Sequence, residues 1–302
     1  MHTTSTPAAA MRSTEFTTVR LDAGARHLIL FFVAAYLLAW LPFGVAILAA
    51  RGAFPLPVPE AVFVALATLG IGAAGVGAAV LESGRAGLRD LRAQVVRWRV
   101  RPGWYVAALL GPALFPAGGL LLGAAMGNAA PALPSLTTVL FVPLVIGALF
   151  VPALFEEIGW RGYALPRLER RMGLLAASLV LGVIWTGVHL PLWLLPDFGF
   201  AQQSVPLYFV QVIAISVLLA WLYRGTGGSV LLTGLAHAAI NGWPMLWATS
   251  VLVLSEDARA IPFQVLITAA TALAALVVVL VTAYRARRVE RLYAVGPRRR
   301  SV

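Results

Sequence analysis

The stretch Leu140-Phe-Val-Pro-Leu-Val-Ile-Gly-Ala-Leu-Phe-Val-Pro-Ala-Leu-Phe-Glu156-Glu157-Ile-Gly-Trp-Arg161 ends a long apolar run with two adjacent carboxylates and a guanidinium. An ionisable side chain inside a bilayer-spanning helix costs about 3 kcal/mol even on the mildest scales, so three together mark a site that returns something for that cost. The surrounding chain supports a membrane setting. Of its 302 residues 60% are hydrophobic and only 12% charged, and mean hydropathy is +0.87, whereas soluble domains are about a quarter charged. Apolar runs close to the roughly 20 residues that cross about 30 Å of hydrocarbon occur near 28–50, 61–81, 104–126, 138–160, 174–195, 205–223, 229–251 and 262–284. The expected fold class is therefore all-α, a polytopic bundle of about eight transmembrane spans.

Basic residues orient that bundle, because they accumulate in cytoplasmic loops. The chain has no Lys, so all 23 basic residues are Arg. With the N-terminus inside, every Arg but Arg51 and Arg259 falls on the cytoplasmic side, which assigns both termini to the cytoplasm. The expected organisation is a tail over 1–27, a bundle over 28–284 and a basic tail over 285–302. The first span follows a segment with charges of both signs and no small-residue cleavage site, which reads as a retained helix. A net charge of +11 spread as juxtamembrane clusters is what topology requires, and does not indicate nucleic acid. Leu88, Leu91, Val95 and Trp98 recur at spacings of three and four between the second and third spans, the pattern of an interfacial amphipathic helix. Gly70, Gly72, Gly75, Gly77, Gly118, Gly119 and Gly123 offer close backbone packing, and the in-span prolines predict kinks. With zero Cys there is no disulfide, thiol nucleophile or Cys-ligated metal. Abundant Ala, Arg, Gly and Pro without Lys fit a GC-rich genome, hence a bacterial plasma membrane.

Helical phase separates the two glutamates. Glu157 and Arg161 are four apart and share a face in the favourable acid-then-base order, whereas Glu156 lies roughly 140° from Arg161 and is left to face another helix. His189 stands one turn from both Trp185 and Trp193, and Pro191 breaks the helix just beyond it. His237 and Asn241 are one turn apart and project together. A carboxylate, two imidazoles and an amide on three apolar helices are the parts of a water-activating hydrolase.

The set Glu-Glu-x-x-x-Arg, aromatic-x-x-x-His and His-x-x-x-Asn, in this order, resembles the CPBP family of intramembrane proteases. That family groups type II CAAX prenyl endopeptidases with bacteriocin-processing, self-immunity and abortive-infection-like proteins. The resemblance covers about 135–250 and departs from the usual pattern at Trp185, where Phe is more common. It implies that Glu156 activates a water with help from His189, that His237 and Asn241 polarise the scissile carbonyl and hold its oxyanion, and that Glu157, Arg161 and Trp185 support them. Glu156, His189 and His237 would also satisfy the three-ligand pattern of a catalytic zinc or another divalent metal. The chain lacks the His-Glu-x-x-His helix of zinc proteases, and a metal-free glutamate mechanism is equally consistent with it.

The implied function is an intramembrane endopeptidase acting on a membrane protein or peptide. Two rivals remain at this level. A catalytically silent immunity or scaffold protein would share the fold, and a transporter would use intramembrane Glu and His as relays, although the two similar halves of many transporters are missing here. The charge distribution makes its own prediction. Reporters fused after Arg171 and after Val302 should read as cytoplasmic and one near Asp197 as external; a cytoplasmic reading at Asp197 would overturn the eight-span topology.

Overall fold

The computed structural model describes residues 23–55, 58–195, 200–247 and 259–294, so the reporter position Asp197 lies outside the described residues. All regular elements among them are helical. The helices are α1 Ala23–Ala50, α2 Glu60–Val95, α3 Pro102–Leu109, α4 Leu114–Ala125, α5 Leu136–Glu157, α6 Leu165–His189, α7 Val205–Gly225, α8 Val230–Gly242 and α9 Phe263–Ala294. Large apolar side chains such as Leu30, Leu41, Leu81, Leu144 and Leu273 stand exposed on the outer faces, as a bundle solvated by lipid rather than water requires.

Among the described residues, six helical stretches are long and apolar enough to cross a membrane. One of them, Leu136–Leu194, contains two of the expected spans, α5 and α6. The expected span at 229–251 differs more. Its helix, α8, has only 13 residues, about 20 Å, and passes into the 3-10 turn Trp243–Trp247. The third expected span is broken by the 3-10 turn Gly111–Ala113 that carries Pro112, so it consists of α3 and α4. The amphipathic segment expected after the second span continues α2 beyond a break at Gly84, whose φ of 56° and ψ of −135° leave helical space. Leu91 of this arm is buried, while Leu88 and Trp98 are exposed.

Three features position the polar residues. First, α5 does not stop at Glu157 but widens into a seven-residue π-helical turn, Ile158–Ala164, before α6 begins. Such turns are rare and concentrate at functional sites. All its residues from Gly159 to Ala164 are buried. Second, the turn packs on α2 backbone to backbone: a methyl group at Gly75 would lie 2.8 Å from the Cα of Gly159, and one at Gly159 would lie 2.8 Å from the carbonyl oxygen of Ile71. Gly72 and Gly119 are similarly enclosed, but a methyl group at Gly77 would meet nothing within 4 Å. Third, α6 ends at His189 and tightens into the 3-10 turn Leu190–Leu194 at Pro191. Its end is tied to α1, where the Trp40 indole donates to the Val188 carbonyl at 3.1 Å and the Tyr36 hydroxyl to the Ile184 carbonyl at 2.8 Å. Helix ends leave their last four carbonyls without N–H partners, and Val188 is one of these.

The start of α8 is set by Ser229, whose hydroxyl accepts from the Leu232 N–H at 3.2 Å and donates to the Arg97 carbonyl at 2.6 Å. The α8 helix then packs along α5. This contact carries His237 to the end of α5. Overpacking a close helix contact costs about 1–3 kcal/mol. Gly159→Ala should therefore lower the melting temperature in detergent, while Gly77→Ala leaves it unchanged or slightly raised; equal effects would show that the α2 contact does not hold the turn.

Candidate active site

The last two residues of α5 bring two carboxylates into the interior, and their surroundings differ. Glu157 has no exposed surface, and its Oε1 accepts hydrogen bonds from Arg161 Nη1 at 2.7 Å and from His237 Nδ1 at 3.0 Å. The pair with Arg161 is the one that helical phase requires. Arg161 is also fully buried, with its guanidinium 4.5 Å from the centre of the Trp185 ring. Glu157 thus neutralises a cation that would be prohibitive to bury alone.

Glu156 is 6% exposed and, among the described residues, has no cationic hydrogen-bond partner. Its Oε2 accepts from the indole N–H of Trp185 at 2.8 Å and from that of Trp160 at 3.3 Å. Trp160 follows Glu156 by four residues, as Arg161 follows Glu157. The spacing that pairs the second acid with its base thus also pairs the first acid with an indole, a relation legible in the sequence although the tryptophan reads there as apolar bulk.

Both imidazoles are oriented through Nδ1. A carbonyl or carboxylate oxygen can only accept, so His189 Nδ1 donates to the Trp185 carbonyl at 2.9 Å and His237 Nδ1 donates to Glu157. In each ring this leaves Nε2 as the nitrogen free for chemistry, the arrangement by which an orienting acceptor fixes a tautomer. The Trp185 ring joins the groups: its centre is 6.0 Å from that of His189 and 5.1 Å from that of His237, both edge-to-face. Glu156 and His237 both lie within electrostatic reach of His189. Asn241, one turn beyond His237, is exposed on α8 and makes no hydrogen bond to the protein among the described residues. The structure thus gathers Glu156, Glu157, Arg161, Trp185, His189 and His237, and leaves Asn241 at the edge. It adds Tyr208 of α7, whose ring lies 5.8 Å from His189 and which is also in electrostatic reach of Glu156. Nothing in an apolar span that begins Val205-Pro-Leu-Tyr208 distinguishes this tyrosine from a packing residue.

Residues 138–243 match the family model described as Type II CAAX prenyl endopeptidase Rce1-like. The resemblance carried by the three motifs is borne out over nearly the range in which they lie. A relative, CAAX prenyl protease 2 of Methanococcus maripaludis, is 30% identical over 139 residues, 44% of this chain and 49% of the relative. The chain thus spans about half the length of the curated relative it matches. The Rce1-like segment runs from α5 through the 3-10 turn that follows α8, and includes every residue of the cluster.

Among the described residues no group of three His, Asp or Glu side chains that could hold a metal ion is found. The Trp185 ring stands edge-to-face against both imidazoles, and its N–H occupies Oε2 of Glu156.

Two substitutions separate the carboxylates. Glu157→Gln strands Arg161 in the interior and should cost about 3–5 kcal/mol of stability. Glu156→Gln retains a carbonyl oxygen for the indoles and should cost less than about 1 kcal/mol. Thermal unfolding of both variants in detergent checks this, and equal destabilisation would remove the division between them.

Proposed function

We propose that the protein is an intramembrane endopeptidase that hydrolyses a peptide bond of a membrane-anchored protein or peptide near the bilayer surface, and that it resides in a bacterial plasma membrane. The observation that carries this reading is the environment of Glu156. Its neighbour is neutralised by Arg161, but Glu156 is held only by indole N–H groups, which neither take up nor release protons. A carboxylate in that setting is available as a base. The Rce1-like match and the name of the relative agree with it.

In this mechanism Glu156 takes a proton from a water that also donates a hydrogen bond to Nε2 of His189. The resulting hydroxide attacks the scissile carbonyl carbon. His237, held through Nδ1 by the Glu157 carboxylate, acts in its doubly protonated form and gives the developing oxyanion an Nε2–H donor. The side-chain amide of Asn241, exposed and without a protein partner, is the second donor. As the tetrahedral intermediate collapses, the proton on Glu156 passes to the leaving nitrogen, and the proton still on the attacking oxygen passes by way of His189 Nε2 to the released amine, giving a carboxylate and an ammonium.

The test is cleavage of a membrane-proximal peptide by purified protein in detergent or vesicles. Glu156→Gln should abolish turnover. Asn241→Ala should lower kcat about 100- to 1000-fold, the usual loss for one oxyanion donor, without changing the melting temperature. Turnover by Glu156→Gln at the wild-type rate would refute the reading.

A further inference from the structure

The buried side chains of this cluster each have an evident task except the indole N–H of Trp185. Its ring serves as a packing hub and as the face on which Arg161 lies, and a phenyl ring would fill most of that space. A hub needs no hydrogen-bond donor. Yet the N–H is aimed at Glu156 Oε2 from a neighbouring helix, at 2.8 Å, with both residues buried.

We propose that Trp185 is a positioning residue for the reaction: its indole N–H fixes Glu156 Oε2 as a permanent acceptor and thereby presents the other oxygen, Oε1, to the attacking water. The inference rests on the role given to Glu156 under the proposed function. Three observations support it. The donor comes from α6 and the acceptor from the end of α5, so the bond sets the carboxylate relative to His189, which is on α6 one turn beyond Trp185 and bonded to the Trp185 carbonyl. Trp185 therefore touches the base through its side chain and the assisting imidazole through its backbone. The same oxygen also accepts from Trp160, at the longer distance of 3.3 Å, so both donors converge on Oε2, while Oε1 has no hydrogen bond among the described residues. Finally, indole is a donor only, so it can orient an ionised carboxylate without exchanging a proton with it.

The experiment compares wild type, Trp185→Phe and Trp160→Phe in detergent, with Glu156→Gln as the reference for Glu156. In Trp185→Phe, kcat should fall roughly tenfold to a hundredfold with KM unchanged. Trp160→Phe, which removes the longer bond, should lower kcat less. An infrared readout needs no turnover: the carboxylate stretching band that disappears in Glu156→Gln should shift in Trp185→Phe. A band at its wild-type position together with an unchanged kcat would overturn the proposal and leave Trp185 as packing alone. A shifted band together with full turnover by Glu156→Gln would instead uphold the hydrogen bond and refute the catalytic reading of Glu156.

Discussion

One carboxylate without any exposed surface organises the polar interior. Glu157 neutralises Arg161 within its own turn and accepts the Nδ1–H of His237 from α8, both through Oε1. A buried cation demands an anion, and a buried anion demands donors; a single residue meets both demands here. The requirement reaches outward. Arg161 lies within reach of Glu157 and against the face of Trp185 on a π turn, and that turn packs where Gly159 meets Gly75 with no side chains between the helices. The position of His237 depends on the same carboxylate. An ion pair that contributes little net stability can thus still fix the geometry of several helices.

On the proposed mechanism, that arrangement frees the adjacent residue for chemistry. Glu156 and Glu157 share a backbone and differ in everything that touches them, one facing a cation and an imidazole, the other facing two indoles. Two carboxylates given opposite tasks by their surroundings are a recurrent way to place a base beside a structural charge. The similarity to Rce1-like endopeptidases lies over this part of the chain, between α5 and the turn after α8, and α1, α2 and α3 pack against it, while α4 packs chiefly on α9.

Much of this was legible in the sequence. Apolar length and Arg asymmetry define an α-helical membrane bundle, and the i, i+4 rule pairs Glu157 with Arg161 and Glu156 with Trp160. The end of α6 at Pro191 follows from the missing N–H of proline. Other features were not legible, for physical reasons. Periodicity assigns a side chain to a face of its own helix but not to a partner on another, so His237 was expected beside Glu156 and bonds Glu157 instead. Bulk and hydropathy describe Trp185 as an aromatic filler, whereas its N–H makes the decisive contact. A π turn has no sequence signature as clear as a cap or a proline. The short α8 was hidden because the apolar run continues past Gly242 although the helix does not.

The central claim is that the buried charge on Glu157 is there to hold His237, and not for stability. Replacing Glu157 and Arg161 together by leucine removes the ion pair without leaving either charge stranded, a change that is often neutral or stabilising. The double variant should match or exceed the wild-type melting temperature yet hydrolyse peptide at least about a hundredfold more slowly, because His237 has lost its acceptor. Hydrolysis at the wild-type rate by that variant would contradict the account.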